Sequence, residues 1–241
     1  MGYYNIVVVE TAILAGMCLT AALGLRGKVS WAWLIGAIGV YAASGIITFF
    51  GASEAVPDLI PGRYNAEGKL ASFAFLLGAG LLIFRGDAKA IGLTFSQSGP
   101  APIPGLAVAA GTALATVAFM YLYFPGVKTE SVADMAYQLT LPSLDEELLY
   151  RGVLLIMLER AFAPALSKLW SRAGLAALIT TVMFYLTHAM SVSPDWSIVM
   201  VWGEIIPLIT AALWVYVRIA TGSLVLPILL HSLFNGVGYI L

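Results

Sequence analysis

Charge is scarce in this chain. Its 12 Lys and Arg and 13 Asp and Glu make up only 10% of 241 residues, while 61% are hydrophobic. Ordinary soluble domains carry roughly 25% charge, so a water-soluble globule of this size could not cover its surface. The net charge of -1 supplies no basic stripe to neutralise phosphates, which excludes nucleic acid as a partner. A single cysteine, Cys18, excludes a disulfide framework and a cysteine-based zinc site. What is abundant is apolar sequence, with a mean hydropathy of +0.93. These features describe an integral membrane protein, in which each ionisable group at membrane depth is informative.

A spanning helix needs about 20 mostly apolar residues. Eight runs qualify, over Tyr3–Leu25, Trp31–Ala52, Leu70–Phe84, Gly105–Phe124, Tyr137–Leu158, Leu175–Met190, Ile198–Ile219 and Leu224–Leu241. They lack the alternating pattern of a membrane barrel, and the bilayer requires every backbone group to be paired within the segment. The expected fold is therefore all-α and polytopic, with about eight transmembrane helices around a polar cavity. A short interfacial helix is expected over Gly86–Leu93, and a loop rich in Pro, Gly and Ser over Ser96–Pro104. No composition break marks a soluble domain, so residues 1–241 read as one membrane domain. No Lys or Arg precedes Arg26, so the first run lacks the basic start of a signal peptide and reads as an uncleaved span.

Several spans carry groups that hydrocarbon disfavours. Glu146, Glu147 and Arg151 lie in the fifth, His188 at the end of the sixth and His231 in the eighth. Each costs on the order of 2–3 kcal/mol or more at the bilayer centre unless paired or wetted. Glu147 and Arg151 stand i,i+4 and can pair on one face, which leaves Glu146, about 100° round the helix, to point elsewhere. Phe184 with His188, and His231 with Asn235, share faces in the same way. Three helices thus offer polar stripes that can converge, and they include both histidines of the chain. Asp145 is expected at a helix terminus or interface. Glu10 and Glu204 are expected to bond between helices.

A Glu and a His that share a water form a general base, and His231 with Asn235 offers N–H donors for an oxyanion. That set suits amide hydrolysis without a covalent intermediate. The serine, HExxH and paired-aspartate intramembrane solutions lack their motifs here. A zinc site built from Glu146, His188 and His231 also matches a known ligand set, so the residues alone leave a metal-free and a zinc reading both open.

Glu146-Glu147-Leu-Leu-Tyr-Arg151, Phe184-Tyr-Leu-Thr-His188 and His231-Ser-Leu-Phe-Asn235 resemble the EExxxR, FxxxH and HxxxN motifs of the CAAX protease and bacteriocin-processing (CPBP, or ABI) family of glutamate intramembrane endopeptidases. The motifs stand in the family's order within approximately residues 141–241. The resemblance implies a CAAX prenyl endopeptidase-like enzyme. In it Glu146 and His188 activate water, His231 and Asn235 bind the oxyanion, and Glu147, Arg151 and Phe184 support the site, with no metal. The implied partners are membrane lipid and a prenylated or membrane-associated peptide. The small, loop-poor form points to a prokaryotic cell (inner) membrane. Two other classes are weighed against this: a non-catalytic scaffold or bacteriocin-immunity protein of the same fold, and a proton-coupled transporter using the Glu and His groups as a relay.

Overall fold

The structure, a computed structural model, describes residues 3–123, 131–201 and 205–237. Among these the chain forms α1 (Tyr3–Gly24), α2 (Trp31–Gly51), α3 (Ala66–Ile83), α4 (Pro102–Tyr123), α5 (Val132–Glu147), a π-helical segment (Leu148–Leu154), α6 (Leu155–Phe162), α7 (Leu169–Ala189), α8 (Ile205–Thr221) and α9 (Val225–Gly236). Since α5, the π segment and α6 follow without a break, the helical runs number eight, as the hydropathy pattern indicates. The protein is an all-α polytopic membrane protein. Helices α1, α2, α3, α4 and α7 are long and apolar enough to cross a membrane, while α8 and α9 are shorter apolar helices. Large apolar side chains such as Leu23, Ile35, Leu82, Ile103 and Leu114 are exposed on the outside, where lipid tails would cover them.

Three sequence expectations need correction. Helix α3 starts at Ala66, before the apolar run, because Asn65 caps it: its side chain accepts from Gly68 N–H at 2.9 Å and donates to the Thr48 carbonyl at 2.6 Å. This draws Lys69 out of the loop and into the helix. The stretch Gly86–Leu93 is a series of turns with no helix; Gly86 and Gly92 both adopt positive φ, at 81° and 83°, which breaks a helical register. Finally, Ile198 does not begin a span. Met190–Val192 (β1) and Ile198–Met200 (β2) form an antiparallel hairpin between α7 and α8, as β-branched residues flanking a polar turn favour.

Small residues bring the helices together, as expected where water gives no driving force between them. A Cβ at Gly51 would collide with the backbone of Gly68, and Ser44 and Ser72 hydrogen-bond across α2 and α3 at 2.8 Å. Between α5 and α9, Ser143 meets Ser232 at 2.7 Å, and Gly236 leaves space for Leu139. That contact sets the rotation of α9, and so the direction in which His231 points.

Candidate active site

The acidic pair lies at the junction of α5 with the π segment. Glu146 is therefore near the middle of the helical run from Val132 to Phe162. Seven consecutive residues, Leu148–Leu154, are π-helical, a rare state concentrated at functional sites. All seven are buried. Gly152 accommodates the Ile91 carbonyl, which would lie 3.2 Å from an added Cβ.

Glu147 and Arg151 pair as their spacing indicates, Nη1 to Oε1 at 2.9 Å, with both side chains almost wholly buried. The same Oε1 also receives His231 Nδ1 at 2.9 Å. The Arg151 guanidinium lies 4.2 Å from the centre of the Phe184 ring, a cation–π contact that offsets part of its desolvation. Phe184 in turn packs on His188, with ring centres 4.5 Å apart, and edge-on to His231 at 5.8 Å. Trp214 stacks on the far face of the cluster against His231 at 4.8 Å. Glu147, Arg151 and Phe184 thus form one buried support that fixes both imidazoles.

Glu146 points elsewhere. Its Oε1 accepts from Lys69 Nζ at 2.8 Å, and Lys69 also reaches Asp145 Oδ2 at 3.0 Å. Asp145 is consequently a buried partner in mid-run and not a helix-terminal residue. The other oxygen, Glu146 Oε2, is buried without a hydrogen-bond partner. It faces His188 Nε2 at 3.8 Å and His231 Nε2 at 4.0 Å. The partners of the two rings fix their tautomers. A carbonyl can only accept, so His188 Nδ1 donates to Phe184 O at 2.8 Å. His231 Nδ1 likewise donates to the Glu147 carboxylate. In their neutral forms both rings therefore turn an Nε2 lone pair toward Glu146 Oε2. Three acceptors from three helices converge, and a group placed among them must bring protons or positive charge.

Beside Glu146 opens a cavity of about 300 Å³, bounded by residues of α1, α2, α3, α5 and α7. Its polar wall includes Glu10, Tyr41, Lys69, Asp145 and Tyr150; its apolar wall includes Ile6, Val7, Phe49 and Leu149. Glu10 accepts from the Tyr41 hydroxyl at 2.9 Å, the interhelical bond expected of it, and Tyr150 meets Thr187 at 2.7 Å. His188 and His231 lie outside the lining of this cavity. Asn235 is partly exposed on α9, one turn past His231, and no hydrogen bond joins it to the other site residues among the described residues. Glu204 lies outside the described residues.

Sequence reasoning missed Lys69, Tyr150, Thr187 and Trp214. Lys69 stands 77 positions from Glu146, so no helical spacing links them. The one available signal was the Asn65 cap ahead of the third apolar run.

Residues 128–237, which hold all three motifs, match the family model described as type II CAAX prenyl endopeptidase Rce1-like. No curated protein and no solved structure matches the chain. Over residues 128–237 the chain is thus similar to the Rce1-like family, the same family that its EExxxR, FxxxH and HxxxN sequences resemble.

Proposed function

We propose that the protein is a CAAX protease-like intramembrane endopeptidase of a prokaryotic cell membrane. It hydrolyses a peptide bond near the C-terminus of a lipidated or membrane-associated peptide. The observation that carries the proposal is the bare Glu146 Oε2, facing the Nε2 atoms of His188 and His231 at 3.8 and 4.0 Å. A water between Glu146 Oε2 and the Nε2 lone pair of neutral His188 is oriented by its two hydrogens and keeps an oxygen lone pair for attack, while His231 enters the step as the imidazolium.

In the first step the water oxygen adds to the scissile carbonyl carbon and its proton passes to Glu146, with His188 holding the water in line. The oxyanion is met by Asn235 and by His231. For His231 Nε2 to donate it must carry a second proton, with the Nδ1–H resting on Glu147; the Glu147 carboxylate supports that imidazolium as a buried acid supports a catalytic histidine. The tetrahedral intermediate then collapses: the C–N bond breaks and Glu146 returns its proton to the leaving amine. Lys69 holds the carboxylate of Glu146 in place and balances its charge.

The proposed reaction uses no metal. Lys69 already brings a cation to Glu146, which opposes a second one. The carboxylate–imidazole separations also exceed the roughly 3.3 Å expected between tetrahedral ligands bonded at about 2.0–2.1 Å.

The test is cleavage of a panel of matched lipidated and unlipidated peptides by wild type and Glu146→Ala protein in liposomes, with metal analysis and a chelator arm. Wild type should cut at one bond near the C-terminus in the presence of chelator, and Glu146→Ala should not cut. Full activity of Glu146→Ala, or activity lost to the chelator and restored by zinc, contradicts the proposal.

A further inference from the structure

The hairpin after His188 is out of place in an all-α membrane protein. An isolated two-stranded hairpin is marginal in water, and an open sheet edge is not tolerated in hydrocarbon. This one is nevertheless well anchored. Asn5 of α1 donates to the carbonyls of Ser193 and Pro194 at 3.0 and 3.1 Å. Asp195 closes the turn by accepting from Ser197 Oγ at 2.8 Å and Ser197 N–H at 3.2 Å, and these bonds hold its carboxyl below the usual range. Strand β1 packs against α1 and α7, whereas β2 lies outside it, with Ile198 and Val199 each more than half exposed.

The register defines what β2 offers. Ser193 N–H bonds Ser197 O at 2.9 Å and Val201 N–H bonds Ala189 O at 2.8 Å. Hydrogen-bonded and non-bonded pairs alternate in an antiparallel ladder, so Ser191 and Val199 face each other through hydrogen bonds. Ile198 and Met200 therefore turn their N–H and C=O groups away from β1. Among the described residues nothing bonds them. Met200 pairs with Met190, two residues after His188, so the Met200 end of β2 is the end beside the site.

We propose that β2 is the docking strand for substrate: an extended peptide adds to its outer edge as a third strand and brings its scissile bond to Glu146 and His188. This rests on the peptidase reading above. An extended backbone has unpaired amides that an open edge can satisfy, and a peptide carbonyl in this form is open to attack, as one bonded within a helix is not. The exposed side chains of Trp196, Ile198 and Val199 suit a membrane-associated partner.

The test is an N-methyl scan of a cleaved peptide, one backbone amide at a time, read on wild type in nanodiscs. Strand addition predicts a period of two: methylation at alternate residues lowers kcat/KM at least 10-fold, and the intervening positions change less than 3-fold. Met200→Pro removes an N–H that the hairpin does not use; it should raise KM at least 5-fold, whereas Met200→Leu should not. If Met200→Pro fails to fold, the scan on wild type decides alone. A scan with equal losses at every position, or none, overturns the proposal. Binding of the same peptides to Glu146→Gln protein separates the two readings. Alternating binding without cleavage by wild type would sink the peptidase reading and leave the docking strand standing. Cleavage without alternation would sink the docking strand alone, and neither binding nor cleavage would sink both.

Discussion

The four N-terminal helices and the part of the chain after residue 131 divide the work unequally. Helices α1 to α4 are each 18 to 22 residues long, apolar enough to span, and free of π turns. After residue 131 the helices include a π segment and short helices, and a hairpin stands between α7 and α8. Among the described residues, the buried charged side chains after residue 131 are Asp134, Asp145, Glu146, Glu147, Arg151, Arg218 and His231, whereas α1 to α4 bury only Glu10 in the same class. One half is what a bilayer selects, and the other is what chemistry requires against that selection. Yet the division is incomplete. Lys69, from α3, is the ammonium that holds Glu146, and Glu10 and Tyr41 line the cavity beside it. The apolar half is therefore one wall of the site as well as its support.

Substitutions can break or sharpen this contrast. The largest effect is expected in the C-terminal half: His188→Ala should lower kcat on the order of 10²–10⁴-fold, the usual yield of general acid–base groups, with little change in unfolding temperature. Next, Glu147→Ala should destabilise the protein by about 3–5 kcal/mol, because it leaves Arg151 buried and uncompensated. Chemical unfolding in detergent checks this, and adding Arg151→Met should recover much of the loss. Lys69→Met then asks whether the N-terminal half takes part. Misplacing Glu146 should cost about 10²-fold in kcat/KM; an unchanged rate would restore the simple division into scaffold and site. The smallest effect is expected for Ser44→Ala, which removes one neutral bond to Ser72, costs about 1 kcal/mol and leaves cleavage untouched.

The same contrast explains how far the sequence could be read. Hydropathy marks each N-terminal span because a lipid-facing helix must be apolar throughout. The Glu147–Arg151 pair was legible because i,i+4 spacing within one helix encodes it, and Glu146, His188 and His231 stood out as ionisable groups at membrane depth that had to face one another or water. Lys69 was not legible, since its partners come from another helix and its position at the head of an apolar run resembles an interfacial lysine. The hairpin was hidden for the opposite reason: Ile198, Val199 and Met200 continue an apolar run, and hydropathy does not distinguish a short strand from the start of a span. The π segment has no periodic signature at all. Asn235 has the right spacing from His231, yet no hydrogen bond ties it to the cluster, so its assigned part in oxyanion binding rests on the family resemblance and on approach of substrate.

The central claim is that the free oxygen of Glu146 activates water for peptide cleavage. Glu146→Gln keeps the shape and the oxygen that Lys69 holds while removing the base, so single-turnover cleavage of one membrane-associated peptide, followed by mass spectrometry, tests it most directly. The account predicts that Glu146→Gln binds the peptide as wild type does and cuts it at least about 100-fold more slowly. Cleavage by Glu146→Gln at the wild-type rate would contradict it.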